Sequence, residues 1–178
     1  MKPLHLIASK DIFRPALHHI QLLDGYFNVT DCHTLLKVPQ FEILPDSIIN
    51  EIPKECYFLA NDWKNSKIDK AIIFRIKNNL IECMDSKFKT LGFLPFLDVN
   101  EFIQKAGKFP DINCVIPKDE FVEQMANFSL NPELLNNIYN ANGKDPLQLT
   151  FFGKNRAAKI KFKESDSIGL IMPMTFEK

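Results

Sequence analysis

The sequence carries no excess of either charge, no closely spaced cysteine pair and no apolar run that approaches membrane-spanning length. Each gap removes a class of protein. Lys plus Arg number 22, and so do Asp plus Glu, so the net charge points to neither a nucleic-acid nor an acidic partner. A phosphate-gripping protein still needs a local basic face, and any such face here is offset by acids elsewhere. The cysteines, at 32, 56, 83 and 114, form no CxxC. That spacing fits neither a zinc site nor a compact disulfide scaffold, and predicts reduced, mostly buried thiols. The first apolar stretch, LHLIA at 4–8, is too short for a signal-peptide core and is interrupted by His5. With no run of bilayer length, the chain reads as soluble and cytoplasmic, with no membrane partner. The phosphate-loop, dinucleotide-loop and HExxH signatures are also missing, so no cofactor and no metal is expected.

What is present favours a packed core. Hydrophobic residues make up 46% of the 178, and Phe alone contributes 16, which argues against disorder. One short stretch raises a chemical question. VTDCHTLL places Asp31, Cys32 and His33 side by side, and those side-chain types build nucleophile–base pairs and metal sites. Read as a strand, the stretch points Cys32 and His33 to opposite faces, so they cannot pair. Asp31 and His33 share a face, which is a common surface arrangement. His18-His19 fails as a metal pair for the same reason. No catalytic constellation emerges, and the chain does not read as an enzyme.

Most segments have strand character. Asp24-Gly25 separates two apolar-rich runs and marks a hairpin. Asn78-Asn79 sits between AIIFRI and LIECM in the same way, since Asn tolerates the left-handed conformation. The last part, PLQLTFFGKNRAAKIKFKESDSIGLIMPM, gives three more strands with turns at Gly153–Asn155 and Ser165–Ser167. Within it AKIKFK alternates, Ile160 and Phe162 on one face, Lys159, Lys161 and Lys163 on the other. Helices are fewer. LPDSIINEIPK has Pro45 near a helix start and Pro53 as its stop. LNPELLNNIYNANGK has Asn131 as cap, Pro132 at the first helical position, an apolar stripe of Leu134, Leu135, Ile138 and Tyr139, and Gly143 at its end. VNEFIQKAGK is a third helical segment with weaker signals. A helix followed by three strands thus occurs twice, at 44–94 and 131–174. Between them FPDINCVIP, with prolines at both ends, reads as an extended connector. The pattern predicts an α+β fold of two antiparallel sheets with helices on one side.

Three of these segments, in this order, resemble the bacterial sliding clamp, the beta subunit of DNA polymerase III. VTDCHTLL is similar to the clamp strand that reads Ala-Thr-Asp-Gly-His-Arg-Leu. GKFPDINCVIPK is similar to the clamp connector, with its Phe-Pro-Asp and its later Val-hydrophobic-Pro. SIGLIMPMTF looks like the C-terminal clamp strand with its Met-Pro-Met. The resemblance covers most of the chain from about Ser9, with extra sequence near 59–70 and 93–106. It implies a DNA-clamp-like domain about half as long as a full clamp subunit. Its half-repeats, each a short helix plus antiparallel strands, fall at 1–98 and 119–178, around a helical insert and connector at 99–118.

In that family the three segments line a hydrophobic cleft for short peptides of polymerases, loaders and repair proteins. The resemblance therefore implies a peptide-binding cleft at Thr30, Cys32, His33, Thr34, Leu35, Pro117, Val122, Ile171, Met172, Pro173 and Met174. The implied partner is a replication or repair protein carrying a linear motif. Two departures stand out: Cys32 replaces the family's usual Gly, and Thr34 and Thr175 replace Arg. The added bulk and the lost guanidinium donors imply a ligand motif unlike the usual clamp-binding peptide. DNA contact is less well supported, because the helices carry few cations. The basic residues instead lie on strands and turns, among them Lys154, Arg156, Lys159, Lys161 and Lys163. The alternative is that several copies join through sheet edges into a homo-oligomer that encircles DNA as a processivity clamp.

Overall fold

The computed structural model describes residues 2–117, 128–153 and 156–174. The chain opens with an antiparallel meander of β1 (His19–Leu23), β2 (Tyr26–Thr30) and β3 (Thr34–Pro39). A single helical turn, α1 (Asp46–Ile49), precedes β4 (Glu55–Leu59) and α2 (Ala60–Ser66). A second meander follows, β5 (Ile73–Lys77), β6 (Leu80–Met84) and β7 (Thr90–Pro95), and then α3 (Val99–Ala106). The last part is α4 (Pro132–Ala141), β8 (Leu147–Thr150), β9 (Ala158–Phe162) and β10 (Ile168–Ile171). The strands form two antiparallel sheets. One has seven strands in the order β4-β1-β2-β3-β10-β9-β8, and the other is β5-β6-β7. Among the described residues, no helix is long and apolar enough to cross a membrane.

Local chemistry accounts for the hairpins. Asp24 and Gly25 have φ of 49° and 83°, and Asn78 and Asn79 have 49° and 56°. Two successive positive φ values match the right-handed twist of the strands they join. The helix expected at LNPELLNNIYNANGK forms as α4. The Asn131 side chain accepts the Glu133 N–H, and Pro132 sits in the first turn. The segment with weaker signals forms a well-capped helix, because Asp98 and Glu101 make a reciprocal capping box at the start of α3.

The expected order of helix and three strands over 44–94 needs correction: β4 and α2 intervene between α1 and the β5–β7 meander. Trp63 on α2 is buried edge-on against Phe27 and Phe58, and so closes the main core. β7 lies so near α2 that a Cβ on Gly92 would fall 2.8 Å from the Ser66 Cα. Nor do the helices all share one side. Trp63, Ile138 and Ala141 of α2 and α4 pack in the main core with Phe27, Leu36 and Ile160. Phe102 and Ala106 of α3 pack with Tyr57, Leu35 and Leu170 in a second, smaller core. In β3, Leu35 and Leu36 alternate between these cores, so the cores lie on opposite faces of the seven-stranded sheet. The connector is also not extended. Ile112–Cys114 forms a 3₁₀ turn, capped by the Asp111 side chain, which accepts the Asn113 N–H.

The pairing of β3 with β10 joins the first part of the chain to the last, with Thr34 opposite Ile171 and Leu35 opposite Leu170. A buried polar knot secures the same junction. The Lys2 ammonium, in a residue 8% exposed, pairs with Glu42 and donates to the Asn142 Oδ1 and to the Ser165 and Ser167 hydroxyls. Glu42 also accepts the Asp166 N–H at 3.1 Å. Removing one partner of such a buried pair leaves the other charge uncompensated, which costs roughly 3–5 kcal/mol. Lys2→Ala is therefore expected to lower the unfolding free energy by about 3 kcal/mol in urea titrations. A loss too small to measure would show that the knot contributes nothing net.

Candidate binding cleft

The stretch with Asp31, Cys32 and His33 is not a strand. β2 ends at Thr30, β3 begins at Thr34, and the three residues close the hairpin between them. Strand alternation therefore does not set the directions of their side chains. The polar groups are engaged in making the turn. Asp31 Oδ1 accepts the His33 N–H at 2.9 Å, the Thr34 N–H at 2.6 Å and the Thr34 hydroxyl at 2.9 Å. The Thr30 hydroxyl donates to the Thr34 carbonyl at 2.6 Å and accepts the Cys32 N–H at 3.1 Å. This is an Asx-type turn with its donors and acceptors used internally. Cys32, at its apex, is exposed and has φ of 76°, a conformation that favours glycine.

The hairpin forms one wall of a small apolar cavity of about 170 Å³. Thr30, Cys32, His33, Thr34 and Leu35 all line it. The last strand contributes Leu170 and Met172. Met172 extends the ladder beyond β10 by donating its N–H to the His33 carbonyl at 2.8 Å. The third wall is the connector turn, through Pro110, Asp111, Ile112 and Val115, and Ala157 completes the lining. Leu35 and Leu170 are buried and form the floor, while Val115 and Met172 are 56% and 40% exposed at the rim.

Several expected residues lie elsewhere. Ile171 is fully buried in the main core on the opposite face, because alternation along β10 sends it away from Leu170 and Met172. Pro117 and Pro173 are half-buried and Met174 is exposed, and none of them lines the cavity. The Met174 N–H donates to the Ser129 carbonyl at 2.9 Å. Val122 and Thr175 fall outside the described residues. Leu170, Ala157 and the 110–115 segment were missed. Period-two counting back from Met172 identifies Leu170, whereas nothing in the sequence announces the connector's turn.

The cysteines divide evenly, which corrects the expectation of mostly buried thiols. Cys56 and Cys83 are buried, and burial pushes their thiols up to about 12 and about 11. Cys32 and Cys114 are exposed. The Cys114 thiol donates to Asp111 Oδ2 at 3.1 Å. That bond, with the Asn113 N–H, holds the Asp111 carboxyl below the usual carboxylate range and raises the thiol. The cleft rim therefore carries a fixed negative charge. Among the described residues, no cluster of three or more His, Cys, Asp or Glu side chains is placed to hold a metal ion.

The basic residues expected to touch DNA do not form one solvated face. Lys161, Lys163 and Arg156 are exposed, but Lys159 is 8% exposed, paired on the sheet with Leu170 of the cleft floor. Lys154 lies outside the described residues.

Two antiparallel sheets with α2 and α4 packed on one face define a DNA-clamp fold, here with α3 packed on the other face. No protein-family model and no curated protein sequence matches the chain. Solved structures do, and they are bacterial sliding clamps. The DNA polymerase sliding clamp of Pseudomonas aeruginosa superposes with a TM-score of 0.61 over 98% of this chain at 13% identity. That of Bacillus subtilis gives 0.59 over 97% at 15% identity. The DNA polymerase III beta subunit of Thermotoga maritima gives 0.56 over 98% at 11% identity. The chain spans only 64%, 60% and 63% of those three proteins. It has a divergent version of the sliding-clamp fold.

Cys32 offers a direct test of the hairpin. A left-handed conformation costs a non-glycine residue roughly 1–2 kcal/mol. Glycine gives back about 0.4–1 kcal/mol through the entropy of the unfolded chain. Cys32→Gly is therefore expected to stabilise by up to about 1 kcal/mol, a rise of roughly 2–4 °C in a thermal melt. Cys32→Val, β-branched, is expected to melt lower than the parent. The reverse order would exclude the left-handed turn.

Proposed function

We propose that this chain is a clamp-like interaction module, without chemistry of its own, that holds short linear segments of replication or repair proteins in the cleft between residues 30–35, 110–115 and 170–172. We read it as a single domain of two half-repeats joined by the insert and connector. The observation that carries the reading is the union of Leu35, Leu170 and Met172, from opposite ends of the chain, in one apolar depression open to solvent. A linear peptide loses conformational entropy when it binds, so a few buried anchors must supply most of its affinity. The buried floor offers such an anchor point. Met172 on the rim is unbranched and polarisable, and can adapt to different ligand side chains. Solved clamps from Pseudomonas aeruginosa and Bartonella birtlesii carry bound griselimycin, so clamps of this fold do take up ligands.

The test is selection of short peptides on the protein from a displayed library, followed by titration against Met172→Glu. Met172 is 40% exposed and outside the main core, so the substitution leaves folding intact. Selected peptides are expected to bind the variant at least about tenfold more weakly, which is 1.4 kcal/mol, with an unchanged thermal melt. Peptides that bind both proteins equally, or a library that yields no binder, would sink the cleft reading. A consensus clamp-binding peptide is expected to bind this protein more weakly than it binds a full clamp. Thr34, fixed to Asp31, supplies none of the donors of the family's arginine. Equal affinities would show that the ligand motif is unchanged.

A further inference from the structure

The most exposed large apolar side chain among the described residues is Phe13, at 86%, and its neighbour Ile12 is 76% exposed. The loop that presents them is held by several hydrogen bonds. Asp11 donates its N–H to the Ser9 hydroxyl at 3.1 Å and accepts the Phe13 N–H on its own carboxylate at 3.0 Å. The Asp11 carbonyl accepts the Arg14 N–H at 3.0 Å and His18 Nε2 at 2.8 Å. The Ser9 N–H closes the loop onto the Leu17 carbonyl at 3.0 Å. Two adjoining apolar side chains held rigidly in water are unfavourable unless something covers them.

The loop lies beside the cleft. Lys10, Asp11 and Arg14 share one shallow depression with Asp31 and His33, and His33 also lines the cleft. We propose that the Ile12–Phe13 tip of one copy enters the cleft of a second copy, and the reverse, in a two-fold symmetric dimer. This rests on the reading of the cleft as a peptide site, and it names an occupant and a control for that site. Knob and hole on adjoining surfaces of one chain are what a self-complementary two-fold contact requires. The charges match as well. Arg14 is paired with Asp11 of its own loop, Nε to Oδ2 3.5 Å, so Lys10 leaves the tip with a net positive charge, and the Asp111 carboxylate sits on the cleft rim. The size is suitable, since an apolar cavity of about 150 Å³ accepts a benzene ring and the cleft holds about 170 Å³. A Phe side chain buries on the order of 150–250 Å², so two reciprocal contacts cover several hundred Å². That area suits a weak, concentration-dependent dimer and falls short of an obligate one. Such a dimer withholds the cleft from partner peptides until the chain is dilute or a tighter ligand arrives.

The experiment is sedimentation velocity on the full chain across the micromolar to millimolar range, with Phe13→Glu and Met172→Glu alongside. The wild-type protein is expected to dimerise, and each variant to remain monomeric where the wild type is paired. An equimolar mixture of the two variants is expected to recover a heterodimer, because one intact tip meets one intact cleft, at least about tenfold weaker than the parent dimer. A wild-type protein that is monomeric throughout, or a dimer that survives either substitution, overturns the proposal. Library-selected peptides titrated into the Phe13→Glu protein separate this idea from the one beneath it. If they bind there while the wild type never dimerises, self-association falls and the peptide site stands. If none binds while the wild-type dimer needs both Phe13 and Met172, the partner-peptide reading falls and self-association stands.

Discussion

The pairing of β3 with β10 is the constraint on which the remainder depends. It is the contact through which the first meander and the last share one sheet, and its register decides what each face displays. With Leu35 opposite Leu170, both point to the cleft side, and Leu36 and Ile171 point into the main core. A slip of one residue would exchange the two sets. The register is pinned at both ends. At one end the turn before β10 is held by Lys2 and Glu42 through Ser165, Asp166 and Ser167. At the other the Met172 N–H meets the His33 carbonyl. Between them Gly169 admits the Ile160 side chain so closely that an added Cβ would stand 3.1 Å from it. A larger residue there would push β10 away from β9 and disturb the cleft floor from behind.

Helix α3 belongs to the same logic. The connector holds few hydrogen bonds to the sheet that would fix it as a wall. Instead it is anchored by Phe109 and Ile112, which pack with Phe102 and Ala106 of α3 in the second core. Phe102 itself stacks on Tyr57, ring centroids 3.7 Å apart. Burial and the bond to Glu55 push the Tyr57 phenol up to about 12, so it stays neutral and keeps its hydrogen bonds across the working pH range. The insert thus supplies apolar ballast that positions residues 110–115 against the hairpin. A sheet face left bare at Tyr57 and Leu35 would expose that apolar surface to water.

How much of this was legible in the sequence depended on whether the signal was local. The hairpin turns were legible because Asp-Gly and Asn-Asn accept a positive φ that few residue pairs accept. The caps of α4 were legible because Asn131 and Pro132 act within one turn. The order of three clamp-like segments pointed to the fold. The errors were non-local. Choosing Leu170 over Ile171 requires knowing which face of β10 meets Leu35, and that parity is set by a partner strand far away in sequence. Lys159 reads as a solvated cation until its neighbour proves to be Leu170 on a covered face. Prolines bracket the connector and favour extended backbone, yet it turns. Its turn comes from the Asp111 side chain capping the Asn113 N–H, a pattern that four consecutive loop residues hardly advertise. β4 and α2 were missed because ECYFLANDW is apolar without a period, being a doubly covered strand that runs straight into a helix.

The cleft's polar inventory limits what it can recognise. Thr30 and Thr34 lie on its wall, but their hydroxyls already serve the hairpin, that of Thr34 through Asp31. A ligand that sought them would have to break the turn. What remains is an apolar floor, a movable Met172, the ring of His33 and the carboxylate of Asp111. A site built this way discriminates shape and size through burial, where one methylene is worth roughly 1–3 kcal/mol. It selects charge only at the rim, where solvent and salt weaken the interaction. Under the proposed reading, apolar anchors next to a cation suit the site, and backbone-directed recognition of acidic motifs is poorly served. The Thr34 hydroxyl, already bound to Asp31, and the acidic rim at Asp111 push the preference in the same direction.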